Sequence, residues 1–113
     1  MEPKLIILAA GKGTRLLPYT NNIPKSMIPL RGVPIMEWQI KVARECGIND
    51  IIVVKGYKQE KINFSNITYC LNTNYSSTNM VETLFCAKEF LFGEVIVSYG
   101  DIIYEPLVLS KLL

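Results

Sequence analysis

Four short apolar runs punctuate the chain, and the stretches between them alternate between helical period and loop. The first run is Leu5 to Ala9 and the second is Asp50-Ile51-Ile52-Val53-Val54. The third, weaker, is Ile67-Thr68-Tyr69-Cys70-Leu71, and the fourth is Glu94-Val95-Ile96-Val97-Ser98-Tyr99. Runs one, two and four are continuous rather than alternating and rich in β-branched residues. Strands of that pattern are buried on both faces, as strands of parallel sheets are.

Between the first and second runs, Met36, Ile40 and Ala43 recur at helical spacing, flanked by Ile35, Val42 and Cys46, while Glu37, Lys41, Arg44 and Glu45 take the opposite side. Pro34 suits the first turn of this helix and Gly47 its C-terminal cap. A second helix is predicted over Met80 to Leu91, where Met80, Val81, Leu84, Phe85, Ala87 and Leu91 form a broad apolar stripe. Thr78 or Asn79 can cap it, with Glu82 three residues after Asn79 as a capping partner. Lys58 to Ile62 reads as a short helical turn, and Pro106 opens a last helix. Strands alternating with helices predict an α/β fold, a three-layer α/β/α sandwich with a mainly parallel sheet and right-handed crossovers. With no internal repeat, low-complexity stretch or linker, residues 1–113 read as one unit.

Residues 10–33 do not fit a plain scaffold, because little helical or strand period runs through them. A loop of that length in a compact domain is usually functional or disordered, and its prolines and apolar residues favour an ordered, tethered loop. It begins at the C-terminal end of the first strand, the edge outside which open α/β sheets bind ligands. Gly11 and Gly13 allow a sharp turn and close approach of a ligand, and successive N–H groups there can form an anion nest. Arg15 and Lys25 add positive charge in the same loop, so glycines, a hydroxyl and two cations together suit a triphosphate. Taken alone, Gly-x-Gly is more simply an ordinary tight turn. A dinucleotide fingerprint fails at Leu16, where its third glycine would stand, and no Gly-Lys-Ser/Thr closes a P-loop.

Composition narrows the chemistry further. Half of the 113 residues are hydrophobic, enough for a real core, and the net charge is only +2 with the cations scattered. No basic patch marks a nucleic-acid partner. Histidine is absent, and Cys46, Cys70 and Cys86 are widely spaced and odd in number, which argues against a zinc site and a disulfide framework. The first apolar run is too short for a signal-peptide core or a membrane span, so a cytoplasmic protein with no membrane partner is expected.

One ordered series of residues carries a family resemblance. The run Leu8-Ala9-Ala10-Gly11-Lys12-Gly13-Thr14-Arg15-Leu16, then Pro18 and Thr20, Pro24-Lys25-Ser26-Met27, Pro29-Leu30 and Gly32-x-Pro34-Ile35 resembles the signature of the sugar-phosphate nucleotidylyltransferases. Gly47-Ile48-x-x-Ile51 with Val53-Val54-x-Gly56-Tyr57, and Tyr99-Gly100-Asp101, are similar to later segments of that family. The resemblance implies a Rossmann-like fold and transfer of NMP from an NTP to a phosphorylated small acceptor, with release of pyrophosphate. It implies that Gly11, Gly13, Thr14 and Arg15 bind phosphate and that Leu8, Ala9 and Ala10 offer backbone atoms to the base. Lys25 would lie over the reacting phosphates, and Asp101 would hold Mg²⁺. Asn72-Thr73-Asn74-Tyr75-Ser76-Ser77-Thr78-Asn79-Met80 is similar to the Tyr-x-x-Thr-Asn-Met type of the cytidylyltransferases for phosphocholine or aminoethylphosphonate, which favours CTP, with Thr78 and Asn79 at the nucleotide. Helix capping by Thr78 or Asn79 explains those two residues equally well.

Members of that family continue well beyond this length. The resemblance therefore implies that a second metal-binding acid and most of the acceptor pocket lie outside residues 1–113. It makes the chain the N-terminal, nucleotide-binding part of such an enzyme, inactive alone and prone to self-associate through an exposed sheet edge. The rival reading is a nucleotide-binding module without catalysis.

Overall fold

The computed structural model describes residues 3–11 and 22–100. Its elements in chain order are β1 (Lys4–Ala9), β2 (Pro29–Leu30), β3 (Val33–Pro34), α1 (Ile35–Glu45), β4 (Asp50–Lys55), β5 (Thr68–Leu71), α2 (Met80–Phe85) and β6 (Val95–Tyr99). The main sheet has the order β5-β4-β1-β6, and every pairing in it is parallel. All six residues of β1 are buried, as the unbroken apolar run predicts for a strand with neighbours on both sides. Even its first residue conforms: the Lys4 ammonium donates to the Phe92 carbonyl at 2.6 Å and lies 3.3 Å from the centre of the Phe92 ring.

Alternation along β1 and β4 splits the core into two layers. Leu5, Ile7 and Ala9 face Met36, Ile40 and Ala43 of α1, together with Ile51 and Val53. Ile6 and Leu8 face the other way with Ile52 and Val54, where Ala87, Met80 and Leu84 pack on them. A helix layer on each face of a parallel sheet is the expected three-layer α/β/α sandwich. Gly47 ends α1 as predicted, at φ 84°, with its amide bonded to the Arg44 carbonyl at 3.0 Å and the Ile48 amide to the Ala43 carbonyl at 2.9 Å. This is a Schellman motif, and only a residue at ease in the left-handed region completes it without strain.

Three elements differ from expectation. The helix expected over Met80 to Leu91 stops at Phe85, turns at Cys86-Ala87 and resumes as a 3₁₀ turn over Lys88–Phe90. The tighter i to i+3 bonds, Ala87 N to Leu84 O at 2.9 Å and Phe90 N to Ala87 O at 2.9 Å, bring Ala87 down onto the sheet. β6 is not buried on both faces: Val97 and Tyr99 remain 46% and 48% exposed. Short α2 leaves a cavity of about 300 Å³ between itself and β6, lined by Leu8, Met80, Leu84, Val97 and Tyr99 among others. Within the long loop, Lys25–Met27 forms a 3₁₀ turn, and β2 and β3 pair as an antiparallel hairpin. Its two turn residues, Arg31 at φ 54° and Gly32 at φ 80°, both have positive φ, the signature of a type I′ turn. The Lys58–Ile62 turn is present as a 3₁₀ helix over Gln59–Lys61. The helix expected from Pro106 lies outside the described residues.

The sheet order has a consequence for ligands. Successive strands are added on one side of β1 (β4, then β5), and then the chain crosses to its other side (β6). Such a switch point opens a crevice at the carboxyl ends of the two strands on either side of it, here β1 and β6.

Candidate functional site

The segments leaving the carboxyl ends of the strands are stitched together along that edge of the sheet. The Ala10 carbonyl accepts the Tyr57 amide at 3.0 Å, the Leu8 carbonyl accepts the Gly100 amide at 2.9 Å, and the Asn72 amide donates to the Lys55 carbonyl at 2.8 Å. Gly56 is the meeting point. A Cβ placed on it would lie 2.8 Å from the Asn72 carbonyl oxygen, 2.9 Å from Tyr75 Cβ and 3.0 Å from Ala10 Cβ. The chain after β1, the turn after β4 and the loop after β5 therefore touch through a glycine because no side chain fits there. The Tyr57 and Tyr75 rings close the same contact edge to face, 5.9 Å apart. Gly100 is seated as tightly: its Cβ would fall 2.9 Å from Ala9 Cβ and 3.1 Å from the Leu8 carbonyl oxygen. From below, the Gln39 Nε2 donates to the Tyr99 carbonyl at 3.0 Å. The end of β6 is thus held by β1 on one side of Gly100 and by α1 on the other.

The loop after β5 is ordered by side chains. Asn72 is buried, and its side chain bonds Thr78, Thr83 and the Asn74 amide. Asn79 caps α2, its Oδ1 accepting the Glu82 amide at 3.0 Å. Of the two capping readings, the one for Asn79 holds. Replacing Asn79 by alanine should lower stability by about 1 kcal/mol in urea unfolding. A larger drop in nucleotide affinity than in stability would separate ligand contact from capping.

Among the other expected site residues, Leu8, Ala9, Ala10 and Gly11 lie at the end of β1. The Leu8 side chain faces the cavity beside β6, and the carbonyls of Leu8 and Ala10 already hold one hydrogen bond each. Each carbonyl keeps a second lone pair. No described atom comes within 4 Å of where a Cβ on Gly11 would stand, so packing among the described residues does not require that glycine. Lys25 opens the 3₁₀ turn, which is anchored by buried Ser26 and by Met27 against the α1 layer. Gly13, Thr14, Arg15 and Asp101 lie outside the described residues. The structure therefore unites the β1 terminus with the Thr78 loop, and it seats Lys25 on a separate turn.

Sequence reading missed Gln39 and Asn72. Gln39 stands three residues after Met36 and four before Ala43, on the buried stripe of α1, and a polar residue in that register was the available signal. Asn72 closes the β5 run with no comparable cue.

The three cysteines are thiols and not disulfides, and burial pushes the Cys70 thiol up, with Glu89 and Cys86 adding to the effect. A thiol kept protonated is a poor nucleophile and a poor ligand, which suits a core role. Among the described residues no group of three or more His, Cys, Asp or Glu side chains could hold a metal, and no helix is long and apolar enough to cross a membrane.

Known proteins decide the family. The model of the MobA-like NTP transferase domain matches residues 5–113. The chain belongs to that family. Within this NTP transferase family, a CTP:phosphoglutamine cytidylyltransferase of Campylobacter jejuni is 39% identical over 119 aligned residues, which cover 96% of this chain and 47% of the relative. A choline-phosphate cytidylyltransferase of Streptococcus pneumoniae is 34% identical over 113 residues, covering 96% of this chain and 49% of the relative. The solved structure of a CTP:phosphocholine cytidylyltransferase from Streptococcus pneumoniae superposes with a TM-score of 0.86 at 34% identity, over 94% of this chain and 50% of that one. This NTP transferase chain thus spans about half the length of these relatives.

Proposed function

We propose that the chain is the nucleotide-binding part of a cytidylyltransferase that moves CMP from CTP to a phosphorylated small acceptor. The acceptor class is sugar 1-phosphate, phosphocholine or aminoethylphosphonate. The observation that carries the reading is the convergence at Gly56 of the β1 terminus, the turn after β4 and the loop bearing Thr78, beside the β1/β6 switch point. The two relatives named as cytidylyltransferases support CTP over the other nucleotides.

In this reading Gly11, Gly13, Thr14 and Arg15 hold the triphosphate, and the backbone of Leu8, Ala9 and Ala10 with Thr78 and Asn79 holds the base. An oxygen of the acceptor phosphate attacks the α-phosphorus in line, a P–O bond forms, and pyrophosphate leaves with the electrons of the broken bond. The attacking phosphate is already ionised, so no general base is required, which suits a chain without histidine. Arg15 and Lys25 orient the phosphates and offset their charge. Asp101 would hold Mg²⁺ together with phosphate oxygens, a donor set suited to an ion that takes few protein ligands. When bound, the ion offsets phosphate charge. Gly100 held by the Leu8 carbonyl of β1, and the Tyr99 carbonyl held by Gln39 of α1, give the end of β6 a fixed seat.

The second reading is a nucleotide-binding module without catalysis. Pyrophosphate release over a panel of the three acceptor types, measured on a protein that carries this chain at the full length of its relatives, separates the two. Release with CTP and one acceptor carries the transferase reading, and nucleotide binding without release carries the module. Self-association through the β6 edge belongs to the same proposal, since Val97 and Tyr99 of β6 and Val81 and Phe85 of α2 are exposed together. Light scattering should give a mass above that of one chain, and a clean monomer would remove this part.

A further inference from the structure

Asn72 does more than order its loop. Its Oδ1 accepts the Asn74 amide at 3.0 Å, and its Nδ2 donates to Thr78 Oγ1 at 2.8 Å and to Thr83 Oγ1 at 3.0 Å. A backbone amide only donates, so the orientation of the carboxamide is fixed and both Nδ2 protons face the threonines. The Thr78 hydroxyl in turn donates to the Asn74 carbonyl at 3.0 Å. That carbonyl collects donors, receiving the Ser77 amide at 3.0 Å and the Ser77 hydroxyl at 3.3 Å as well. A hydroxyl has one proton and two lone pairs. At Thr78 the proton goes to Asn74 and one lone pair goes to Asn72, which leaves a single lone pair.

We infer that this chain of bonds makes Thr78 an acceptor only, and that Asn72 is thereby a specificity-determining residue that selects a pyrimidine with a 4-amine over one with a 4-carbonyl. The inference rests on the proposed reading in which Thr78 faces the base. Cytosine offers an N–H to the remaining lone pair. Uracil offers an oxygen, and Thr78 can donate to it only by turning a lone pair toward the Asn74 carbonyl. Buried Asn72, tied to β4 through its own amide, blocks the alternative of shifting the loop instead.

The test is calorimetric titration of the chain with CTP, UTP and the triphosphate of 2-pyrimidinone riboside, which has hydrogen at the 4-position. Affinity should fall from CTP through the pyrimidinone nucleotide to UTP, with CTP about tenfold tighter than UTP, the scale of one hydrogen bond. UTP binding as tightly as the pyrimidinone, or tighter, would mean that the hydroxyl turns freely, and the inference is then wrong. Asn72→Leu should bring the CTP/UTP ratio toward one, with circular dichroism reporting whether the fold is kept. A folded variant with the native ratio overturns the inference. Should Asn72→Leu not fold, the three-nucleotide series on the native chain decides alone. Thr78→Val separates the two levels. If it keeps the native preference for CTP, Thr78 does not face the base, and the underlying reading fails together with the inference. If it removes the preference while Asn72→Leu does not, only the inference fails.

Discussion

Gly56→Ala should destabilise the chain by about 1–3 kcal/mol and should weaken nucleotide binding beyond that loss. The added methyl group would meet the Asn72 carbonyl oxygen at 2.8 Å, Tyr75 Cβ at 2.9 Å and Ala10 Cβ at 3.0 Å. None of these is the far end of a flexible side chain, so relief requires backbone movement. Such movement separates the β1 terminus from the Thr78 loop, and the proposed base site lies between them. Gly11→Ala is the contrasting variant. No described atom lies within 4 Å of its Cβ position, so its unfolding midpoint should stay near that of the native chain while triphosphate affinity falls. Urea unfolding and nucleotide titration on both variants read the two effects separately. Equal losses of stability in the two would contradict this division between a packing glycine and a ligand-facing one.

Arg15→Ala and Lys25→Ala should each weaken triphosphate binding by roughly 1.5–3 kcal/mol, the range of charge-assisted hydrogen bonds. The fold should survive both. The turn that carries Lys25 is anchored by its neighbours Ser26 and Met27, and Lys25→Met, which keeps the aliphatic stem, should lose affinity to the same extent. Asp101→Asn should remove the dependence of binding on Mg²⁺ with little change in unfolding, because the charge is lost and the size is kept. Native affinity in both cation variants would leave the triphosphate without its proposed partners.

What the sequence made legible follows from burial. β1 and β4 are enclosed on both faces, so their apolar runs are continuous and read as parallel-sheet strands. The C-terminal end of α1 was equally plain, because Gly47 occupies a left-handed cap that few other residues tolerate, whereas Pro34, read into the first turn, stands just before the helix as the last residue of β3. Two-residue strands such as β2 and β3 are too short to show alternation, and their only cue was Arg31-Gly32 at the turn. β6 carries the same apolar run as β4, yet α2 does not reach across it, and only the tertiary arrangement shows that. The glycines of the site were legible as a pattern, but the reason for Gly56 was not. Its neighbours Ala10, Asn72 and Tyr75 come from three segments that only the folded sheet brings together. The hydroxyl-to-amide network of Asn72 was invisible for the same reason, since hydrogen-bond polarity depends on geometry and not on residue order.

The central claim is that this crevice takes CTP with Mg²⁺, and the most direct measurement is thermal unfolding with each of the four ribonucleoside triphosphates, with and without Mg²⁺. A ligand at one hundred times its dissociation constant stabilises the folded state by about 2.7 kcal/mol, enough to raise the midpoint by several degrees. The largest rise is expected with CTP, dependent on Mg²⁺ and reversed by a chelator. An unchanged midpoint with all four nucleotides, or a rise with another base and none with CTP, would contradict it.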